Sequence, residues 1–165
     1  SALLSTIAAA LAAGTLSAQQ PGARQQAPDT SRAAAQGGKS LDAVGFTARA
    51  HSGNGEYMTE TQIAQEHPAR VTDLFTNVRG VRVDYSTGYP VLEDARTASG
   101  SCLKYVVDGV STAMADGGDL NNFLRPDGIA AIEVYAPAQT PDAFRGDNKS
   151  DCEVIVIWTK DKIRG

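Results

Sequence analysis

The sequence predicts an α+β domain, a small mixed β-sheet with short helices, preceded by an apolar helix and an extended tail. Three observations carry this. "CEVIVIWT" (Cys152 to Thr159) is a continuous apolar run rich in β-branched residues, which suits a strand covered on both faces. Val71, Leu74, Phe75 and Val78 fall at i, i+3, i+4 and i+7, one face of a helix. Asp108-Gly109 follows the strand-like run "CLKYVV" and is a strong two-residue hairpin signal.

The 165 residues divide into three parts. Residues 1–18 hold "ALLSTIAAALAAGTLSA" (Ala2 to Ala18), with no charge and no proline. Leu3, Leu4, Ile7, Leu11 and Leu16 make it apolar enough for the core of a secretory signal or an uncleaved membrane anchor. As a helix it would be about 26 Å long, slightly short of the ~30 Å hydrocarbon core. Residues 19–40 read as linker: two Gln-Gln pairs, Pro21, Pro28 and Gly37-Gly38 block both helical and strand periodicity. Residues 41–165 are then the domain, long enough for a self-standing core. The overall charge is -4, and the domain carries twelve basic against eighteen acidic residues. An acidic domain without a basic run argues against nucleic acid as a partner.

Along the domain, "LDAVGFTARA" (Leu41 to Ala50) alternates loosely and suits a first short strand. "HSGNGEYM" is turn chemistry, with Gly53 and Gly55 around Asn54. Thr59 can cap a helix, with Gln62 three residues on to close a capping box. His67-Pro68 ends that helix and opens the next, "PARVTDLFTNVRG", with Gly80 where a left-handed C-cap belongs. "VRVDY" alternates Val81, Val83 and Tyr85 to one side, as a half-buried strand does. "VLEDARTA" (Val91 to Ala98) suits another strand. "CLKYVVDGV" is a strand running into the Asp108-Gly109 turn. Residues 115–128 read as loop and one short helix, with Asp116 or Asp119 as caps. "IAAIEVYAP" (Ile129 to Pro137) is a strand, "TPDAFRG" a single helical turn, and the apolar run at 152–159 a central strand.

Cys102 and Cys152 each precede a predicted strand, and neither belongs to a Cys-x-x-Cys pair. An export-like start and an even count favour one disulfide, closing a loop of about fifty residues worth roughly 2–4 kcal/mol. Two buried free thiols are the alternative. His51 lies in a Gly-rich turn and His67 at a helix junction, so neither points to metal or catalysis, and a structural zinc site would need about four ligands. "DGGDLNN" (Asp116 to Asn122) has oxygen ligands but lacks the spacing and closing Glu of an EF-hand. Glu133 interrupts an apolar strand and is expected to face solvent. Glu93-Asp94 carries no further signal. No nucleophile elbow, phosphate loop or dinucleotide fingerprint occurs, so the reading is non-enzymatic and without cofactors.

Taken together, "VTDLFTNVRGVRV", "YVVDGV", "IAAIEVYAP", "CEVIVIWTK" and the opening "LDAVGFTARA" resemble, in order, the plug domain of TonB-dependent outer-membrane receptors. The resemblance spans Leu41 to Lys160. It implies a plug of the kind that lies inside a β-barrel and blocks its pore until an energy-coupling protein pulls on the N-terminal segment. Two residues depart from the family pattern: Arg79 replaces the usual Pro before the glycine, and Glu153 the usual Gly after the last cysteine. Only "DKIRG" follows the plug-like part, so the expectation is a plug-like domain without its own barrel.

Three functions are then in view. The first is an exported interaction or structural subunit, periplasmic and anchored through its N-terminus. It would dock on a larger membrane complex such as a transport, respiratory or photosynthetic assembly. Tyr135, Phe144, Trp158 and the 86–100 loop are its expected contacts, with Trp158 also a core candidate. The second is a receptor plug working with a separate outer-membrane barrel in uptake of a metal chelate. The third is a soluble periplasmic ligand-binding domain.

Overall fold

A computed structural model describes residues 40–96, 102–114, 119–146 and 152–165. The membrane-segment residues Leu3, Leu4, Ile7, Leu11 and Leu16 lie outside these, as does the linker. Among the described residues no helix is long and apolar enough to cross a membrane.

The chain enters through turns at 41–45 into helix α1 (Phe46–Ser52), where the sequence suggested a strand. Gly45 takes φ +76, a left-handed conformation that interrupts any extended run. Phe46 and Ala50, four apart, then pack together against the second core cluster. After the Gly53–Gly55 turn come strand β1 (Glu56–Thr59) and helix α2 (Glu60–Gln65). The expected capping box is present: the Thr59 side chain accepts from Gln62 N, and the Gln62 amide oxygen accepts from Thr59 N at 2.8 Å. His67, at φ 47, ends the helix.

The predicted helix at 68–80 shortens to a 3-10 turn, Val71–Phe75. Asp73 accepts from Arg70 N at 2.8 Å, and Thr76 Oγ1 donates back to the Asp73 carbonyl. These local bonds compete with helix propagation through Thr76 and Asn77. The apolar spacing survives, because Val71, Leu74 and Phe75 are buried and Val78 packs beside them.

Strands β2 (Val81–Asp84) and β3 (Val91–Asp94) form a separate antiparallel ribbon. Tyr85 does not join Val81 and Val83 on the buried side. The Asp84 carboxylate accepts from Ser86 N at 2.9 Å and from Ser86 Oγ at 2.8 Å, which turns the chain and leaves Tyr85 exposed. The same two bonds hold the Asp84 carboxyl below the usual carboxylate range, the backbone bond being the larger influence.

Strands β4 (Leu103–Val107) and β5 (Val110–Thr112) are joined by the predicted turn, with Asp108 at φ 55 and Gly109 at φ 85. Short helix α3 (Leu120–Phe123) and a 3-10 turn lead into β6 (Ile129–Tyr135). The single turn α4 (Asp142–Arg145), strand β7 (Glu153–Thr159) and helix α5 (Lys160–Arg164) complete the described chain.

The main sheet has the order β1-β6-β7-β4-β5, so β7 lies in the middle. It runs antiparallel to β6 and parallel to β4. Its alternate residues feed two cores. Ile155 and Ile157 join Phe75, Leu92 and Leu120 on one face, whereas Val154, Val156 and Trp158 meet Phe46 and Phe144 on the other. A strand buried on both faces has no polar side to show, which explains the unbroken apolar run.

Candidate functional site

Two buried charge clusters and two exposed apolar tips stand out from this frame. The first cluster is centred on Glu133, in the middle of β6. Its side chain is fully buried, contrary to the solvent-facing position expected. Arg49 of α1 reaches it with Nε at 2.8 Å and Nη2 at 2.7 Å, a two-pronged ion pair. The Trp158 indole N–H donates to Oε1 at 2.6 Å and the Tyr135 hydroxyl to Oε2. The Arg49 guanidinium also lies over the Phe144 ring, 4.8 Å from its centre. Its bonds to Glu133 raise the Arg49 pKa above its ordinary value. Burial, aided by the bond to Glu133, pushes the Tyr135 hydroxyl well up, so it remains a donor. Every polar atom brought inward thus has a partner, as a buried charge requires.

This cluster corrects the expected contact residues. Tyr135, Phe144 and Trp158 are 1%, 8% and 4% exposed. They stack edge-on or tilted against one another, 6.2 and 6.3 Å apart, behind α1. They are core and present no surface for a partner. The only sequence signal for Glu133 was the oddity itself: an acid within an apolar strand needs a base, and Arg49 is 84 positions away.

The second cluster joins the ribbon to the main sheet. Asp94 ends β3 and is buried; Glu153 begins β7 and is 3% exposed. Arg96 bridges them, with Nη2 3.0 Å from Glu153 Oε2 and Nε 3.3 Å from Asp94 Oδ1. Burial raises the Glu153 pKa above its ordinary value; Arg96 works against this and Asp94 adds to it. The pair Glu93-Asp94 therefore splits in role: Glu93 makes an exposed bridge to Arg82, while Asp94 faces inward. Arg79, the other departure from the family pattern, is exposed and pairs with Glu56 at 2.6 Å. Glu56, Arg79, Arg96 and Glu153 line a groove of about 290 Å³.

Gly80 lies beneath the Glu153 carboxylate at φ +86, and a Cβ there would overlap it. Gly80→Ala is expected to destabilise the fold by about 1–3 kcal/mol, read by urea unfolding, because backbone strain and overlap add. A change below ~0.5 kcal/mol would mean that Glu153 has room to move away.

The disulfide joins Cys102 and Cys152 at the starts of parallel neighbours β4 and β7. Of the other candidates, His51 and His67 are both exposed. No group of three metal-binding side chains occurs among the described residues. The 116–122 stretch, whose spacing does not suit calcium, lies partly outside them. Asn121 from that stretch accepts from Thr72 N at 3.2 Å, a tie between α3 and the 3-10 turn. Asp108 does more than turn the hairpin: its carboxylate accepts from Thr159 N and Oγ1, both at 2.8 Å, locking the turn to the end of β7.

Four large apolar side chains remain exposed among the described residues: Tyr85, Tyr89, Val110 and Phe123. Tyr85 and Tyr89 flank the β2–β3 turn, which is held by Gly88 N donating to the Tyr85 carbonyl and by the Asp84–Ser86 bonds. Val110 opens edge strand β5. Phe123, with Met114 and Leu124, borders a groove of about 550 Å³ beside that edge.

No protein-family profile matches the chain, and no curated protein matches it. Among solved structures it is similar to the siderophore receptor PirA of Pseudomonas aeruginosa, at 20% identity and TM-score 0.45 over 65% of this chain and 18% of that one. It is similar in the same degree to a mutant ferric enterobactin receptor, PfeA, of the same organism: 20% identity and TM-score 0.49 over 65% of this chain and 17% of that one. The chain spans less than a fifth of either receptor. Likeness at this level carries no argument about function.

Proposed function

We propose that the chain is a non-enzymatic plug-like module of the cell envelope that works by being held against a larger membrane assembly. The observation that supports this reading is where the exposed apolar side chains lie. Tyr85 and Tyr89 stand on a braced hairpin tip, Val110 opens the edge strand β5, and Phe123 borders the groove beside that strand. Large aromatics on a rigid turn offer contact area at little cost in entropy. Such residues concentrate at the centres of protein interfaces. The buried clusters serve the same end, since they stiffen the body that carries these tips.

A second reading is narrower: a receptor plug seated in an outer-membrane barrel that takes up a metal chelate. The ordered resemblance of five sequence stretches to receptor plugs favours it, and the α+β body of short helices on a mixed sheet is compatible with it. Both readings place the chain on a membrane partner, and they differ in what that partner is.

Co-purification from detergent-solubilised membranes tests the proposal. The expected result is a stable complex that is lost when Tyr85, Tyr89 and Phe123 are all replaced by alanine. A β-barrel as the co-purifying chain selects the second reading. A chain that elutes alone as a monomer, with the native residues in place, contradicts both.

A further inference from the structure

At its Asp94 end the ribbon meets the main sheet through two charged contacts among the described residues, the exposed Arg79–Glu56 pair and the Arg96–Glu153 pair, and the second is chemically unbalanced. Asp94 and Glu153, both buried, share the single guanidinium of Arg96. The other charged groups lining this groove, Arg79 and Glu56, already pair with each other. When both buried acids are ionised, the contact therefore carries, among the described residues, one negative charge too many. The ribbon lies directly over it: Gly80, just before β2, sits beneath the Glu153 carboxylate, and Ala95 N donates to the Gly80 carbonyl at 2.8 Å.

We propose that Asp94, Arg96 and Glu153 form a proton-operated latch that sets how tightly the β2–β3 ribbon is held on the main sheet. With Glu153 neutral, Arg96 and Asp94 balance and the two acids stay buried. With Glu153 ionised, the surplus charge gains by hydration, and the two carboxylates, 1% and 3% exposed beside a half-exposed Arg96, are hydrated more fully when the ribbon lifts. The raised Glu153 pKa gives the direction. The folded state holds this proton more tightly than the unfolded chain, whose Glu titrates near 4.5. The stability so contributed is fully present below that value and is lost as the pH rises through the higher folded value. The latch is closed in acid and loosens as the pH rises through the folded value. Because the ribbon carries Tyr85 and Tyr89, its freedom also governs how that tip is presented. The latch itself does not depend on which partner the tip meets.

Hydrogen exchange on the intact chain, corrected for intrinsic rates, tests this at about pH 5 and about pH 8. In the native sequence, amides of residues 81–84 and 91–95 are expected to open several-fold more readily at the higher pH, while those of β6 and β7 stay unchanged. In Glu153→Gln the ribbon's pH difference is expected to vanish. Equal ribbon protection at both values, a pH difference that persists in Glu153→Gln, or a parallel change in β6 and β7 would each overturn the latch. If Glu153→Gln does not fold, carboxyl-carbon NMR on the native chain decides. Ribbon amide shifts that track the Glu153 titration support the latch, and shifts that follow another group overturn it.

Discussion

Replacing Arg49 with alanine is expected to cost about 3–5 kcal/mol of folding free energy, a large part of the roughly 5–15 kcal/mol that holds an ordinary domain. The reason is asymmetric. Glu133 is fully buried, and without Arg49 its carboxylate keeps donors from Tyr135 and Trp158 but no counter-charge. Glu133→Gln should cost less, about 1–3 kcal/mol, because the Arg49 side chain is 21% exposed and its guanidinium can turn to water. Replacing both together, Arg49 by Met and Glu133 by Leu, should lie nearer the native stability than Arg49→Ala does, since no buried charge is then left alone. Urea unfolding followed by fluorescence reads all three. Trp158, the single tryptophan, donates to Glu133 and so reports on the cluster directly. A cost below ~1 kcal/mol for Arg49→Ala would show that the ion pair does not hold α1 on the sheet.

Removing the Cys102–Cys152 bond, by replacing both residues with serine, is the second large effect. The bond closes a loop of 50 residues, for which chain entropy gives about 4 kcal/mol within the general range of ~2–5. Its position adds to its value. It pins the starts of two parallel strands, Leu103 opposite Glu153, and Glu153 N donates to the Cys102 carbonyl at 3.0 Å. Parallel neighbours cannot be joined by a tight turn, so nothing local holds this register. The double variant should unfold at lower denaturant and with a steeper slope, because its unfolded state is freer and exposes more surface. An unchanged midpoint would mean that the β4–β7 pairing alone suffices.

Much of this was legible from local chemistry. The Thr59–Gln62 box, the Asp108-Gly109 turn and the central place of Val154–Trp158 each depend on residues close in sequence or on one uniform run. The misreadings have a common physical form. At 41–50, loose alternation suggested a strand, yet Gly45 and the Phe46–Ala50 spacing gave a helix. At 68–80 the apolar period was right, but side-chain bonds from Asp73 and Thr76 cut the helix to a single 3-10 segment. The charge clusters were invisible because their members are far apart. Glu133 meets Arg49 across 84 positions and Glu153 meets Arg96 across 57. Aromatic type pointed to contacts at Tyr135, Phe144 and Trp158; burial places these three in the core and leaves Tyr85, Tyr89, Val110 and Phe123 exposed.

The claim that this body acts by being held is tested most directly by placing a photo-crosslinking residue at Tyr89, at Phe123 and at Asn54 in turn. Asn54 is exposed just before β1, at the sheet edge opposite β5. Irradiated in native membranes, the first two positions are predicted to trap one and the same membrane assembly, with Asn54 giving far less product. Equal yields at all three, or none at Tyr89 and Phe123, would contradict the account.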